Sequence, residues 1–232
     1  MDAQVTMHKP KNIDLKQAAA LDVGLETAAL CVFDGLQNGL LDPDRLPEKK
    51  GEWAIVLDGA SSVGWYAIQL LKLAGYNILA SCSVRSTDTV KALGTEPFDY
   101  EQDIDQQLQQ VLDITQGNVC RVIDAAASDD PLLAIKLFEH SAHEDKVKLF
   151  ATTNDWSGIK DFNGGKTYNV ELGPVGRPDA ARLNRKLERY IPVLAKLVEN
   201  GHVKVGEYEV VGEGGFDDIA KAYEYKNSGT RG

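Results

Sequence analysis

Seven consecutive residues, Asp58-Gly59-Ala60-Ser61-Ser62-Val63-Gly64, carry the plainest chemistry in this sequence. They follow the short apolar run Ala54-Ile55-Val56-Leu57. They precede a stretch where Ala67, Ile68, Leu71 and Ala74 recur at helical spacing, which predicts strand, tight turn and helix in succession. The start of a helix is an anion site, because its first N–H groups have no acceptor within the helix and the dipole is positive there. Gly59 lets the chain turn sharply, Gly64 lets the helix pack close to the sheet, and the hydroxyls of Ser61 and Ser62 can add donors towards a pyrophosphate. The strict Gly-x-Gly-x-x-Gly spacing is not met, and Asp58 stands where a small uncharged residue suits an anion better. The same residues also fit a plain glycine-containing turn between strand and helix.

The following strand supplies an independent indication. In a unit of this kind the residue about 20 positions beyond the glycines faces the adenosine ribose, where Asp or Glu accepts from the 2′-hydroxyl and selects NAD. Here the strand ends Ala80-Ser81-Cys82-Ser83 and continues Val84-Arg85-Ser86. A carboxylate is absent, whereas hydroxyls and a guanidinium are present. Arginine pairs bidentately with phosphate, so the chemistry favours a 2′-phosphate and hence NADP(H). The alternative is that Arg85 is an ordinary exposed loop residue.

These residues need a scaffold. Asp14 and Gln17 form a capping pair that opens a short helix through Ala18, Ala19 and Ala20. A second helix is expected over 25–36, followed by a loop over 38–51 that holds Pro43 and Pro47. Gly75 closes the helix after the turn; a strand over 77–82, a helix over 87–93 closed by Gly94, a short strand at Phe98 and an amphipathic helix over 104–115 come next. Further strands are expected over 119–125, 147–152 and 167–172. Beyond Pro178 the pattern is mainly helical, notably over 183–200, with a strand-like 205–211 and a last helix over 218–225. Strands alternating with helices imply right-handed crossovers. The expected fold is therefore α/β: a Rossmann-like, doubly wound, parallel six-stranded sheet with flanking helical segments. Residues 1–50 read as a linker and helices leading into the nucleotide domain, 51–175 as an NADP(H)-binding Rossmann domain, and 176–232 as a C-terminal helical segment.

Bulk properties narrow the partners. A net charge of −10 argues against nucleic acid and anionic membranes, which are held by clustered Lys and Arg. Any anionic ligand must then be caught by a local device. No apolar run approaches the roughly 20 residues that span a bilayer, and the polar residues 1–14 do not form a secretion signal. The three cysteines, Cys31, Cys82 and Cys120, are too few and too scattered for a disulfide framework, so a reducing cytoplasm is the expected compartment.

Several strings resemble one family. Ala18-Ala19-Ala20-Leu21-Asp22-Val23-Gly24-Leu25-Glu26-Thr27-Ala28 is similar to the "AA-x-LPVGL-x-TA" signature of medium-chain dehydrogenase/reductases, with Asp22 in place of proline. Gly59 to Gly64 with Ile68-Gln69-Leu70 resembles its "GASGGVG…IQLAK", and Phe98-Asp99-Tyr100 its "FDY". Leu172-Gly173-Pro174-Val175-Gly176-Arg177-Pro178, with Gly214-Gly215-Phe216 beyond, is similar to the fungal branch that holds trans-acting enoyl reductases of polyketide synthesis, beside the quinone oxidoreductases. The resemblance covers nearly the whole chain. It implies that Ser61, Ser62 and Val63 lie against the pyrophosphate and that Ser83, Arg85 and Ser86 hold the 2′-phosphate. Tyr100 would flank that phosphate or the adenine, and Ala151, Thr152 and Leu172 would border the nicotinamide; core packing is the alternative for Tyr100 and Leu172. The resemblance also implies that the family's N-terminal GroES-like catalytic domain is missing, and that Ser228-Gly229-Thr230-Arg231-Gly232 ends where relatives return to it.

Other constellations offer less. His140 and His143 beside Glu144 and Asp145 lack a cysteine pair and are not expected to hold zinc. Asp124, at a strand end, reads as a structural hydrogen-bonder. Lys160, Lys166 and Tyr168 could approach a substrate, but nothing selects one as proton donor. The expected function is an NADPH-dependent, zinc-independent oxidoreductase acting on an activated C=C, such as an enoyl thioester, enone or quinone, with little turnover from this stretch alone. The alternative is a non-catalytic nucleotide-binding or interaction module. Expected partners are a small-molecule or carrier-bound substrate and a second copy or a polyketide synthase.

Overall fold

The computed structural model describes residues 3–156, 158–162, 164–212 and 214–227. The terminal string 228–232 thus lies outside the described residues. Six strands form one sheet: β1 (Trp53–Leu57), β2 (Asn77–Cys82), β3 (Glu96–Asp99), β4 (Val119–Asp124), β5 (Lys148–Thr152) and β6 (Gly165–Asn169). Their spatial order is β3-β2-β1-β4-β5-β6 and every neighbouring pair is parallel. The chain reverses its winding between β1 and β4, which opens a crevice beyond the strands' carboxyl ends.

The helices are α1 (Leu15–Ala19), α2 (Asp22–Ala29), α3 (Ser62–Leu73), α4 (Thr87–Ala92), α5 (Ile104–Thr115), α6 (Leu132–Glu139), α7 (Ala181–Glu199) and α8 (Ile219–Asn227). Successive strand side chains point to opposite faces, so the sheet feeds two cores. Ala54, Val56, Ala80 and Ala151 meet α2, α3 and α7 through Leu25, Ile68, Leu71 and Leu194. Ile55, Leu79, Val122 and Phe150 meet α5 and α6 through Leu108, Val111, Leu133 and Leu137. Cover on both faces explains why the strands read as continuous apolar runs rather than alternating ones.

The capping box is present: the Asp14 carboxylate accepts from the Gln17 N–H (2.7 Å) and the Gln17 side chain accepts from the Asp14 N–H (3.0 Å). Four expectations need correction. The helix expected over 25–36 is α-helical only to Ala29 and widens into a π-helical stretch, Leu30–Gly35. That wide turn brings Gly35 against the sheet, where a Cβ would sit 2.6 Å from the Ala151 Cβ. β6 starts at Gly165 and leaves the sheet after Asn169, earlier than expected. The apolar stretch after Pro131 forms α6, which periodicity did not single out in so short a run. Residues 205–211 form no strand. They pair with no strand; side chains of α3 instead bind the backbone of Lys204, just before them, and of Gly206.

All three cysteines are buried free thiols. Among the described residues no helix is long and apolar enough to cross a membrane.

Candidate functional site

The turn between β1 and α3 is held from both sides. The Asp58 N–H donates to Ser81 Oγ (2.8 Å) and the Gly59 N–H to the Ser81 carbonyl (2.7 Å), which pins the loop on β2. Ser61 caps α3: its hydroxyl accepts from the Gly64 N–H (3.1 Å) and donates to the Asp58 carbonyl (2.8 Å). That hydroxyl is therefore spent within the loop. The N–H groups of Ser62 and Val63, in the first turn, have no helical acceptor by position and remain for an anion.

The glycines divide the labour differently from the sequence expectation. Asp58, at φ 60°, takes the left-handed turn, which aspartate tolerates better than most residues. Gly59 serves packing, since a Cβ there would stand 2.7 Å from the Ala80 Cβ and 3.0 Å from Ile68 Cδ1. Gly64 lets α3 lie on the loop: a Cβ would collide with the Asp58 carbonyl and stand 2.8 Å from the Gly59 Cα. Gly24 in α2 does the same for the other side, where a Cβ would be 3.2 Å from the Ser62 Cβ.

A cleft of about 1080 Å³ opens at this helix start. Its lining includes Asp58, Ser61 and Ser62 of the turn, Ser83, Ser86 and Thr89 beyond β2, and residues 205–209. Ser83 and Ser86 share a hydroxyl–hydroxyl contact of 3.2 Å. Tyr100, half exposed, stands at the boundary with a second, more apolar cavity of about 450 Å³, where Leu57, Ile104, Ala126 and Leu133 are found. Asp58 lines both cavities. Burial pushes its carboxyl above the ordinary value and the Asp124 charge adds to this, against hydrogen bonding to Ser61.

The structure thus brings Ser61, Ser62, Ser83, Ser86 and Tyr100 to one cleft, with Gly59, Val63 and Gly64 packed behind it. Arg85 lies exposed on the one-turn 3₁₀ helix Val84–Ser86, outside the cleft lining. Ala151 and Thr152 are fully buried, and Leu172 packs half-buried on the core. The Thr152 hydroxyl donates to Asp124 Oδ2 (2.8 Å), which also accepts the Ser128 N–H (2.9 Å); Oδ1 accepts from the Ala126 N–H and the Ser128 hydroxyl. Asp124 therefore shapes the loop after β4 rather than facing a ligand.

Sequence reasoning missed Trp65, Tyr66 and Gln69. The Tyr66 hydroxyl donates to the Ala20 carbonyl (2.8 Å) and accepts the Gly206 N–H (3.2 Å), joining α3 to two distant segments. Their polar-aromatic character at the start of an amphipathic helix was the available signal. The ring of His140 bonds the Lys136 carbonyl (2.8 Å) and that of His143 bonds Asn118 Oδ1, so both are committed to the protein. Tyr168 lies 3.4 Å from Lys186 Nζ, which is ion-paired with Asp34 (3.1 Å); burial and the Asp34 charge push its phenol up.

A parallel sheet in this order, with a glycine-bearing turn feeding a helix start at its switch point, defines a Rossmann-like α/β domain of the dinucleotide-binding type. No family model matches the chain. It is 28% identical over 239 residues to the enoyl reductase component lovC of lovastatin nonaketide synthase from Aspergillus terreus, covering 95% of this chain and 63% of that protein. It is 32% identical over 155 residues to a zinc-type alcohol dehydrogenase-like protein of Schizosaccharomyces pombe, covering 63% of this chain and 42% of that one. The fold matches the crystal structure of CurK enoyl reductase with a TM-score of 0.70 at 19% identity, over 98% of this chain and 64% of the other. The homologues thus include fungal enoyl reductases and a zinc-type alcohol dehydrogenase-like protein, and the solved structures that share the fold include enoyl reductases and a quinone oxidoreductase. The chain spans less than two thirds of the length of these relatives.

Proposed function

We propose that this chain holds NADP(H) at the start of α3 and is the cofactor-binding part of an oxidoreductase that reduces an activated C=C, such as an enoyl thioester, enone or quinone. The observation that carries this is the loop at the switch point, where Asp58 turns, Gly59 and Gly64 permit close packing and two N–H groups stay free for a pyrophosphate. The residues fit the cofactor. Ser62 and Val63 would bind the pyrophosphate, Ser83 and Ser86 the ribose side with Arg85 on the same turn, and the apolar cavity beside Tyr100 suits a flat base. On the family pattern Ala151, Thr152 and Leu172 border the nicotinamide. The bound cofactor supplies a hydride; the protein orients it and shapes the cleft.

Relatives named enoyl reductase support the substrate class, and a carrier-bound substrate in the cytoplasm is part of the same proposal. Little turnover from this chain alone is part of the same proposal. Titrating the purified chain with NADPH and NADH by cofactor fluorescence tests the reading. Preference for NADPH is expected; equal affinity would overturn the NADP(H) assignment, and no binding the whole proposal. Robust NADPH-dependent reduction of a simple quinone would overturn the expectation of low turnover.

One observation favours a second reading, an interaction module. Phe216, Ile219 and Tyr223 are 90%, 59% and 68% exposed at helical spacing along α8 and the turn before it. Such a stripe suits self-association or a polyketide synthase partner. Sedimentation of the chain against a Phe216→Ser, Tyr223→Ser variant tests it.

A further inference from the structure

The cleft assigned to a polyanionic cofactor is lined, among the described residues, by Asp58, Glu207 and Glu209 and by no lysine or arginine. Two of these acids belong to residues 205–209, more than a hundred positions beyond the loop with which they line the cleft. Their segment is held at a fixed place. Trp65 Nε1 (3.0 Å) and Gln69 Nε2 (3.1 Å) donate to the Lys204 carbonyl, Gln69 Oε1 accepts the Lys204 N–H (2.7 Å), and the Tyr66 hydroxyl accepts the Gly206 N–H (3.2 Å). Val203 anchors the same stretch in the core at 2% exposure. Glu209 is held as well, its Oε2 accepting from the Tyr225 hydroxyl (2.8 Å).

Charges that line one cleft repel each other with only partial screening where they lie within a Debye length, about 8 Å at physiological salt. The penalty grows with each negative charge on the ligand. A dinucleotide carries two charges on its pyrophosphate, and a 2′-phosphate adds up to two more.

We propose that Glu207 and Glu209, fixed by the Trp65–Tyr66–Gln69 anchor, are specificity-determining residues that lower the cleft's affinity in proportion to the ligand's negative charge. They thereby narrow the preference that Ser83, Arg85 and Ser86 give to a 2′-phosphorylated dinucleotide. The inference rests on the cleft being the dinucleotide site. It explains why an anion site on an acidic chain can release its cofactor: the helix start attracts and the acids of the same lining repel.

The test is the affinity of the full chain for NADPH and NADH, at about 50 and about 300 mM salt, for the parent and for Glu207→Gln, Glu209→Gln. The neutralised variant should bind NADPH about tenfold and NADH about threefold more tightly at low salt, with the difference shrinking at high salt. A purely structural role for the two acids would shift both cofactors equally. An equal shift, or none, overturns the inference. Glu207→Gln alone, which leaves the Glu209–Tyr225 bond intact, serves if the double variant unfolds; it should show a smaller change of the same sign. Failure of either cofactor to bind parent or variants would instead overturn the assignment of the cleft, and this inference with it.

Discussion

The carbonyl oxygen of Asp58 occupies the space that a Cβ on Gly64 would need, and the Gly59 Cα lies 2.8 Å from the same point. Backbone cannot swing aside as a flexible side chain does. Gly64→Ala should therefore destabilise the fold by about 1–3 kcal/mol, the usual range for forced overpacking, and should weaken dinucleotide binding further by tilting α3. Urea unfolding checks the first effect. Gly39→Ala, where nothing lies within 4 Å, is the control and should change little.

Asp58→Asn should raise stability near neutral pH. Burial lifts the Asp58 carboxyl above its ordinary value, with the Asp124 charge adding to it, so the folded chain binds a proton more readily than the unfolded one. Stability then falls as pH rises from the ordinary carboxylate value through the raised one, and the full cost of the buried charge persists above it. Asparagine removes that cost and tolerates the left-handed backbone. The advantage should close as pH falls to about 4, and a melting-temperature profile from pH 4 to 8 reads it. A constant gap would mean that backbone preference alone is at work.

Asp124→Ala should cost about 2–4 kcal/mol, because it strands the buried Thr152 hydroxyl and the donors of Ala126 and Ser128. Hydrogen exchange should rise across 125–130 before the sheet itself opens. Unchanged protection there would remove Asp124 as the organiser of that loop.

Arg85→Ala should weaken NADPH about tenfold and leave NADH nearly unchanged, as expected for a cation that pairs with the 2′-phosphate alone. Isothermal titration with both cofactors checks it. Equal loss for the two, or no loss, would make Arg85 an ordinary exposed residue of its turn.

Tyr66→Phe removes the bridge between Ala20 and Gly206. A loss of about 1–3 kcal/mol is expected from the two groups left behind, with faster exchange of the Gly206 amide while the Gly64 amide, bonded to Ser61, keeps its protection.

Local pattern carried most of the scaffold. The Asp14–Gln17 box, the helix over Ile104–Thr115 and strand β2 were legible residue by residue, because neighbours in sequence decide capping and periodicity. Segment 205–211 was not, since alternation makes a strand only where an edge waits to pair with it. Nor was α6, eight residues long, distinguishable from a strand by length and pattern alone.

By itself, then, the sequence determined the α/β class, the glycine-bearing turn between β1 and α3 and the serines that line the cleft beside it. These depend on turn chemistry, propensity and the period of the apolar residues. Tertiary structure decided that Asp58 makes the turn while Gly59 packs against Ala80, and that Glu207 and Glu209 line the same cleft from far along the chain. Those relationships are close approaches between residues remote in sequence, fixed by how α3 sits on the sheet and on what packs beside it.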